Sequence, residues 1–418
     1  MPKMERKTAM LNRRTFLSRT LQGAAVVAGT AFIAPGRVLG ANERIRLGLI
    51  GAGSRGEEIF RAALRCPNVE GAAVADVYTR RLEAVKALVP GIKAYQDFRR
   101  MLDDPSIDAV LIATPQHQHA LNFVPAIQAR KDVYQEKTMA FNPAHAKRMR
   151  KAFQGSGRVV QIGMQMNSGP GLRQVAEWTT PERMGTITAL QTFHFRNAPY
   201  GGWLREIPAD CDAQHIDWPA FEGEAARHPF DPQRYMNWRF YWDYSGGNVF
   251  ENMVHQVGFW HAALRLTIPE TVTMTGANYL SPKMQVPDVM NVVMQHREKL
   301  LFTWSSLFSN SYYGEGGDYL FGTKGTLTHN SADKVLYLPQ GQKTDAGAGT
   351  PGRALEDAGY FDSTAAHMQN FFDCVRSRKE PACPFELGFR TAVACQMAIA
   401  SYRRQRTVRW DTQKEDIV

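Results

Sequence analysis

Glu251 and His255 stand four residues apart, a spacing that puts a carboxylate and an imidazole on one face of a helix. A carboxylate beside an imidazole orients the ring and raises its pKa, and such a ring accepts a hydroxyl proton near neutral pH while hydride leaves the carbon. Lys137, in Glu136-Lys137-Thr138, is the group expected to hydrogen-bond the same oxygen and stabilise its developing negative charge. Alone, a Glu-x-x-x-His pair is more often an ion pair on a helix surface. Gly246-Gly247 just ahead of it, and Lys137 at the end of a predicted strand, favour chemistry. His117 and His119, with His255, are the candidates for a metal. Their spacing of two at a loop–helix junction argues against one, so no metal is expected.

Proton and hydride movement requires a cofactor and a frame to hold it. Arg44 to Ile50 reads as a buried parallel strand. Gly51-Ala52-Gly53-Ser54-Arg55-Gly56 follows at once, and then a helical pattern with Ile59, Phe60, Ala63 and Leu64 on one face. In that context Gly51 permits the tight turn, Gly53 lets backbone approach a pyrophosphate, and Gly56 lets helix and strand pack closely. A second strand, 71–75, ends in Asp76, placed to bind the adenosine ribose hydroxyls, or merely to cap the next helix. Arg80 and Arg81 follow and would suit a 2′-phosphate, so the residues leave NAD and NADP both open.

Strands are predicted at 108–113, 132–135 and 159–163, with helices between, and one of these helices runs from about 117 to 130. Thr114-Pro115-Gln116-His117-Gln118-His119 lies at a strand's carboxyl edge, where open α/β sheets bind ligands. Ser54, Arg55, Thr114, Pro115, His119, Glu136 and Lys137 join the glycines, Asp76 and Arg81 as candidate cofactor residues. The chain is thus expected to be α/β. A doubly wound Rossmann domain spans 43–165, and an α+β domain with a large, mostly antiparallel sheet spans 166–418. In the second domain a helix is predicted near 171–178 and another at 362–376. Strands are predicted at 186–196, 270–276, 289–296, 300–306 and 325–328, with surface loops over 333–359.

Residues 196–245 are dense in aromatics. Such faces suit a sugar ring, with Arg196, Trp238, Arg239, Tyr244 and Asn252 as candidate substrate residues. A loop burying its own aromatics, or an oligomer interface, explains the composition equally.

The formal net charge is +10, but residues 1–40 hold seven cations and one anion. The basic balance therefore reports targeting and does not argue for nucleic acid. Asn12-Arg13-Arg14-Thr15-Phe16-Leu17, a mild apolar run and the small residues of 38–41 resemble a twin-arginine (Tat) signal over 1–41. This predicts an exported, periplasmic protein with no membrane span after processing. The five cysteines form no CxxC pair and suggest neither a metal knuckle nor a disulfide framework.

Together these motifs resemble the glucose–fructose oxidoreductase / inositol dehydrogenase / MocA (Gfo/Idh/MocA) family across nearly the whole mature chain. The resemblance rests on Gly51, Gly53 and Gly56, on Thr114-Pro115 through His119, on Glu136-Lys137, and on Glu251 to His255. Thr138 stands where the family has proline, Glu251 where it has aspartate, and Gly258 where it has a second aspartate. Trp238 through Gly247 looks like the family's Tat-dependent branch. The resemblance implies an NAD(P)-dependent oxidoreductase of a small carbohydrate and a homodimer or tetramer. Export beyond the cytoplasmic nicotinamide pool further implies a tightly bound cofactor. A redox-neutral glycosidase or lyase and a non-catalytic sugar-binding scaffold are the alternatives.

Overall fold

The computed structural model describes residues 44–311, 316–330, 332–341, 353–354 and 362–418; the signal sequence read over 1–41 lies outside them. Six short strands carry the first half: β1 (Ile45–Ile50), β2 (Val69–Ala75), β3 (Lys93–Tyr95), β4 (Ala109–Ile112), β5 (Asp132–Glu136) and β6 (Val160–Gly163). Their order is β3-β2-β1-β4-β5-β6, and every neighbouring pair is parallel. β4 is buried at every residue, as a strand covered on both faces must be. The chain reverses direction of winding between β1 and β4, so the crevice outside their carboxyl ends is the ligand position of this fold. Helix α1 (Ser54–Leu64) follows β1 and buries Gly56, Ile59, Phe60, Ala62 and Ala63. After β4 a single 3-10 turn, Gln116–Gln118, leads into α2 (His119–Gln128).

The second sheet has ten strands. These are β7 (Ile187–Phe195), β8 (Thr271–Ala277), β9 (Val289–His296), β10 (Leu300–Leu307), β11 (Gly317–Gly322), β12 (Gly325–Asn330), β13 (Val335–Pro339), β14 (Arg353–Ala354), β15 (Val408–Asp411) and β16 (Asp416–Ile417). Their order is β14-β13-β12-β11-β7-β10-β9-β8-β15-β16. β7 runs parallel to β10, and the other pairs are antiparallel. Strict alternation of buried and less buried residues along β9 and β10 shows that one face is covered and the other open. The covered face packs on α3 (Val254–Ala263) and α4 (Phe385–Arg404), and these helices carry a single apolar core through to Phe123 and Ile162 of the first half.

The expectation of loops throughout 333–359 is corrected here. Val335–Pro339 pairs with β12, and 353–354 pairs with β13. The Gly- and Asp-rich residues around Val335-Leu336-Tyr337-Leu338 hide a short alternating strand. Residues 342–352 and 355–361 of that stretch lie outside the described residues. All five cysteines are free and buried. Among the described residues, no helix is long and apolar enough to cross a membrane.

Candidate active site

The glycine loop explains itself sterically. Gly51 has φ +88°, a conformation that a side chain disfavours. A Cβ on Gly56 would lie 1.9 Å from the Gly51 carbonyl oxygen, so helix and loop touch only because it is absent. Gly53 differs, because a Cβ there would meet nothing nearer than the Arg81 guanidinium at 3.6 Å. Arg81 in turn lines a cavity of about 580 Å³ with Gly51, Asp76, Thr114, Pro115 and residues of the 196–245 segment. A backbone cradle that opens on a crevice at the strand ends is what a dinucleotide pyrophosphate requires.

Asp76 sits at the end of β2 and accepts from the Ala52 N–H at 2.7 Å and the Tyr78 N–H at 2.9 Å. It thereby ties the glycine loop to the next strand. Arg81 lies 3.6 Å from Asp76 and lays its guanidinium over the Tyr235 ring at 5.1 Å. Ser54 opens α1. Arg55 turns to Glu136, Nε to Oε1 at 2.8 Å, and Glu136 also accepts from the Lys137 N–H.

The 196–245 segment forms a strap over this cavity. Its middle runs beside the end of β2, where the Thr79 N–H donates to the His215 carbonyl and the Asp217 N–H to the Val77 carbonyl, both at 3.0 Å. Gln118 Nε2 donates to the Ala220 and Phe221 carbonyls, and His117 pairs with the same Phe221 carbonyl. Trp218, Phe221, Tyr235 and Tyr244 bury one another against Tyr78. Tyr244 therefore lies in the strap's own core, its ring 4.9 Å from that of His117, and not at the cleft. Trp238 does line the cavity. His119 is enclosed, with Nδ1 at 2.7 Å from the Thr138 carbonyl and Nε2 at 2.9 Å from the Thr114 carbonyl, and it braces two strand ends. Both histidines of the 117–119 run are thus engaged by backbone carbonyls. Among the described residues, no group of three or more ligand side chains is placed to hold a metal.

At the carboxyl end of β5 the structure sets Lys137 against Glu251, with His255 near enough to feel both charges. Lys137 Nζ donates to Glu251 Oε2 at 2.8 Å and to the Glu251 carbonyl at 3.2 Å. Glu251 Oε1 accepts from Gln116 Nε2 at 2.6 Å and lies 3.2 Å from Arg239 Nε. Burial raises the pKa of this carboxyl, but the charges of Arg239 and Lys137 outweigh it and hold the pKa at about 2. Thr138 Oγ1 donates to the Phe250 carbonyl at 2.9 Å, which locks the end of β5 to the segment carrying Glu251. The Lys137–Thr138 peptide is cis.

Glu251 lies on a π-turn, Val249–Met253, that runs directly into α3. Its carboxylate is turned to Lys137, Gln116 and Arg239, and no hydrogen bond joins it to His255. The expectation that it raises the imidazole pKa is corrected. Burial, then Lys137 and Arg55, hold His255 well below its ordinary value, and Glu251 opposes them too weakly. The ring is neutral at neutral pH, with Nδ1 buried and without a partner. Asn252 donates to Asn248, and Asn248 to the Ser306 hydroxyl, which in turn donates to the His194 carbonyl. Gln116 and Thr138 were not singled out from the sequence, although both lie in quoted motifs. His194 carried no motif signal. Its imidazole pKa is pushed down to about 3 by burial and Arg196.

A family profile described as the NAD-binding Rossmann fold of the oxidoreductase family (GFO_IDH_MocA) matches residues 45–164, and its C-terminal alpha/beta domain profile matches 220–409. The inositol 2-dehydrogenase of Mycolicibacterium smegmatis is 28% identical over 45% of this chain and 54% of its own length. The rhizopine catabolism protein MocA of Rhizobium meliloti is 32% identical over 46% of this chain and 57% of its own length. The chain thus spans little more than half the length of these curated relatives. A levoglucosan dehydrogenase in complex with NADH shares the fold with a TM-score of 0.68 at 16% identity, over 88% of this chain and 99% of that one.

Proposed function

The chain belongs to the Gfo/Idh/MocA oxidoreductase family, and from that premise we propose that it moves hydride between NAD and a hydroxyl-bearing carbon of a sugar or polyol. The observation that carries this reading is the grouping of Lys137, Glu251 and His255 at the carboxyl end of β5, in the same parallel sheet whose β1 leads into the glycine loop. The bound nicotinamide supplies the hydride acceptor in one direction and the hydride donor in the other. Gly51, Gly53 and Gly56 hold the pyrophosphate, and Thr114 and Pro115 line the path from it toward Lys137. The Asp76 carboxylate at the end of β2 would repel a 2′-phosphate and favours the ribose hydroxyls of NAD.

Two of the three Lys137 ammonium protons are directed at Glu251, and the third is available to the substrate oxygen. The ammonium orients the hydroxyl and stabilises its negative charge as the proton leaves. His255, neutral and half-buried, takes that proton. Glu251 fixes Lys137 in place, and Gln116 and Arg239 fix Glu251.

The strap supports a tightly held cofactor. It is joined to the Rossmann half at Tyr78, Thr79, His117 and Gln118, so release of the adenosine end requires those bonds and the aromatic cluster to open together. Retention of that kind suits a protein exported by the Tat route to the periplasm. The open face of the second sheet, with Val293, Leu301 and Tyr319 exposed, suits a homo-oligomer contact.

The test is to purify the mature protein with no added cofactor and record nicotinamide absorbance while sugars are added. Bound nicotinamide that is reduced by one sugar and reoxidised by another is the expected result. Glycoside cleavage with no net change in absorbance would replace this reading with redox-neutral chemistry, and failure to bind any nicotinamide would remove both.

A further inference from the structure

Two arginines approach the catalytic cluster with hydrogen-bonding capacity left unused. Arg196 ends the face of β7 that carries Leu190 and Thr192, both buried against the helices, and then His194. His194 is close enough to His255 to depress its pKa, and Arg196 does the same to His194. Ser306 and Asn248 tie the end of this strand to the turn that bears Glu251. Arg196 Nη1 donates to the Gly201 carbonyl at 3.1 Å, while its Nε is buried with no partner. Among the described residues, no carboxylate lies within ion-pair distance of Arg196. Arg239 lies over the Trp238 ring at 4.2 Å. Its Nε is 3.2 Å from Glu251 but points off the oxygen, so this N–H is also buried without an acceptor.

With Lys137 and Arg55, the region holds four cations against the two carboxylates of Glu251 and Glu136. A neutral sugar offers this excess no counter-charge, and the two guanidinium Nε–H groups no anionic acceptor. An anionic group on the substrate supplies both, and a guanidinium is the side chain best shaped to receive one. Resting on the oxidoreductase reading above, we propose that the substrate is an acidic sugar, bearing one carboxylate or phosphate held by Arg196 and Arg239 away from the reacting carbon. The acid group takes no part in the chemistry. Hydride passes from the C–H to the nicotinamide and the hydroxyl proton to His255, leaving a ketone that still bears its acid.

The experiment follows nicotinamide reduction by the NAD-loaded protein with matched partners: glucose, glucuronate and glucose 6-phosphate, and galactose with galacturonate. In at least one set the anionic partner should exceed the neutral one by roughly 10- to 100-fold in kcat/KM, the range of a charge-assisted contact. A uronate preference identifies a carboxylate, and a sugar phosphate preference identifies a phosphate. Arg196→Gln should shrink that ratio by slowing the acid, whereas Arg239→Gln, which also frees Glu251, should slow both sugars and the acid more, and Arg239→Lys should restore part of both if the glutamine variant folds poorly. Equal or better rates with the neutral sugars overturn this inference and leave the oxidoreductase reading intact. A ratio unchanged in both glutamine variants overturns it likewise. If nicotinamide is bound and no sugar of either series reduces it, the oxidoreductase reading falls and takes this inference with it.

Discussion

Replacing Glu251 by glutamine keeps the shape of the side chain and removes the charge that Lys137 and Arg239 share. Both cations are then left in a poorly solvated site. Breaking a buried ion pair from one side costs about 3–5 kcal/mol. With an unfolding entropy of about 2.1 cal/mol/K per residue, a body of this size should lose roughly 4–6 °C in Tm. The ammonium also loses the partner that aims it, so nicotinamide reduction should fall by about two orders of magnitude, at the lower end of what a positioned acid or base contributes. Glu251→Asp keeps the charge at a shorter reach and should recover most of the Tm and part of the rate. Calorimetry and the 340 nm assay on the three proteins test this directly. A Glu251→Gln variant that melts within about 1 °C of the parent, with its rate intact, would refute the claim that this carboxylate organises the site.

Other outcomes follow from the same geometry. Gly53→Ala should fold, since its Cβ makes only an ordinary contact with the Arg81 guanidinium, and should lose cofactor, whereas Gly56→Ala, whose Cβ would sit on the Gly51 carbonyl, should fold poorly; Tm and nicotinamide content separate the two. Histidines 117, 296 and 367 are each held at about 4 by burial, below an unfolded value of roughly 6.5, so the stability they contribute is present above that value and lost as pH falls toward 4. His329 behaves oppositely. Burial opposes its charge, but Asp318 and Asp333 prevail and raise it to about 9, so its contribution is complete below about 6.5 and is lost as pH rises through 9. A Tm–pH profile should fall on both sides, and His329→Gln should flatten the alkaline side alone. Loosening the strap with Gln118→Ala, which removes its bonds to the Ala220 and Phe221 carbonyls, should speed nicotinamide loss on dialysis more than it lowers Tm.

The Rossmann half was legible because its signals are local. Strand, glycine turn and helix follow one another within residues 45–64, and Asp76 falls at the end of the next strand. Lys137 and His255 were legible as types at the ends of such elements. The partnership of Glu251 was not. A spacing of four implies a shared helical face, but the carboxylate is drawn away by cations 114 residues earlier and 12 residues earlier, and no spacing rule reports such contacts. Helix Phe385–Arg404 also escaped reading, because it is buried on nearly all sides and shows no one-sided periodicity. The aromatic segment could be read only as dense in rings. That most of them pack on one another, and that the resulting strap roofs a cavity beside Asp76 and Arg81, depends on Tyr78, His117 and Gln118, which lie far away in sequence.

The central claim is that hydride leaves the substrate carbon and reaches the nicotinamide. A sugar found to be a substrate, deuterated at the reacting carbon, would be given to the NAD-loaded protein, and the nicotinamide then released and weighed by mass spectrometry. Deuterium on the nicotinamide in the parent, and none above background in His255→Asn, is the result this account predicts. Conversion of the sugar with no deuterium in the nicotinamide would contradict it.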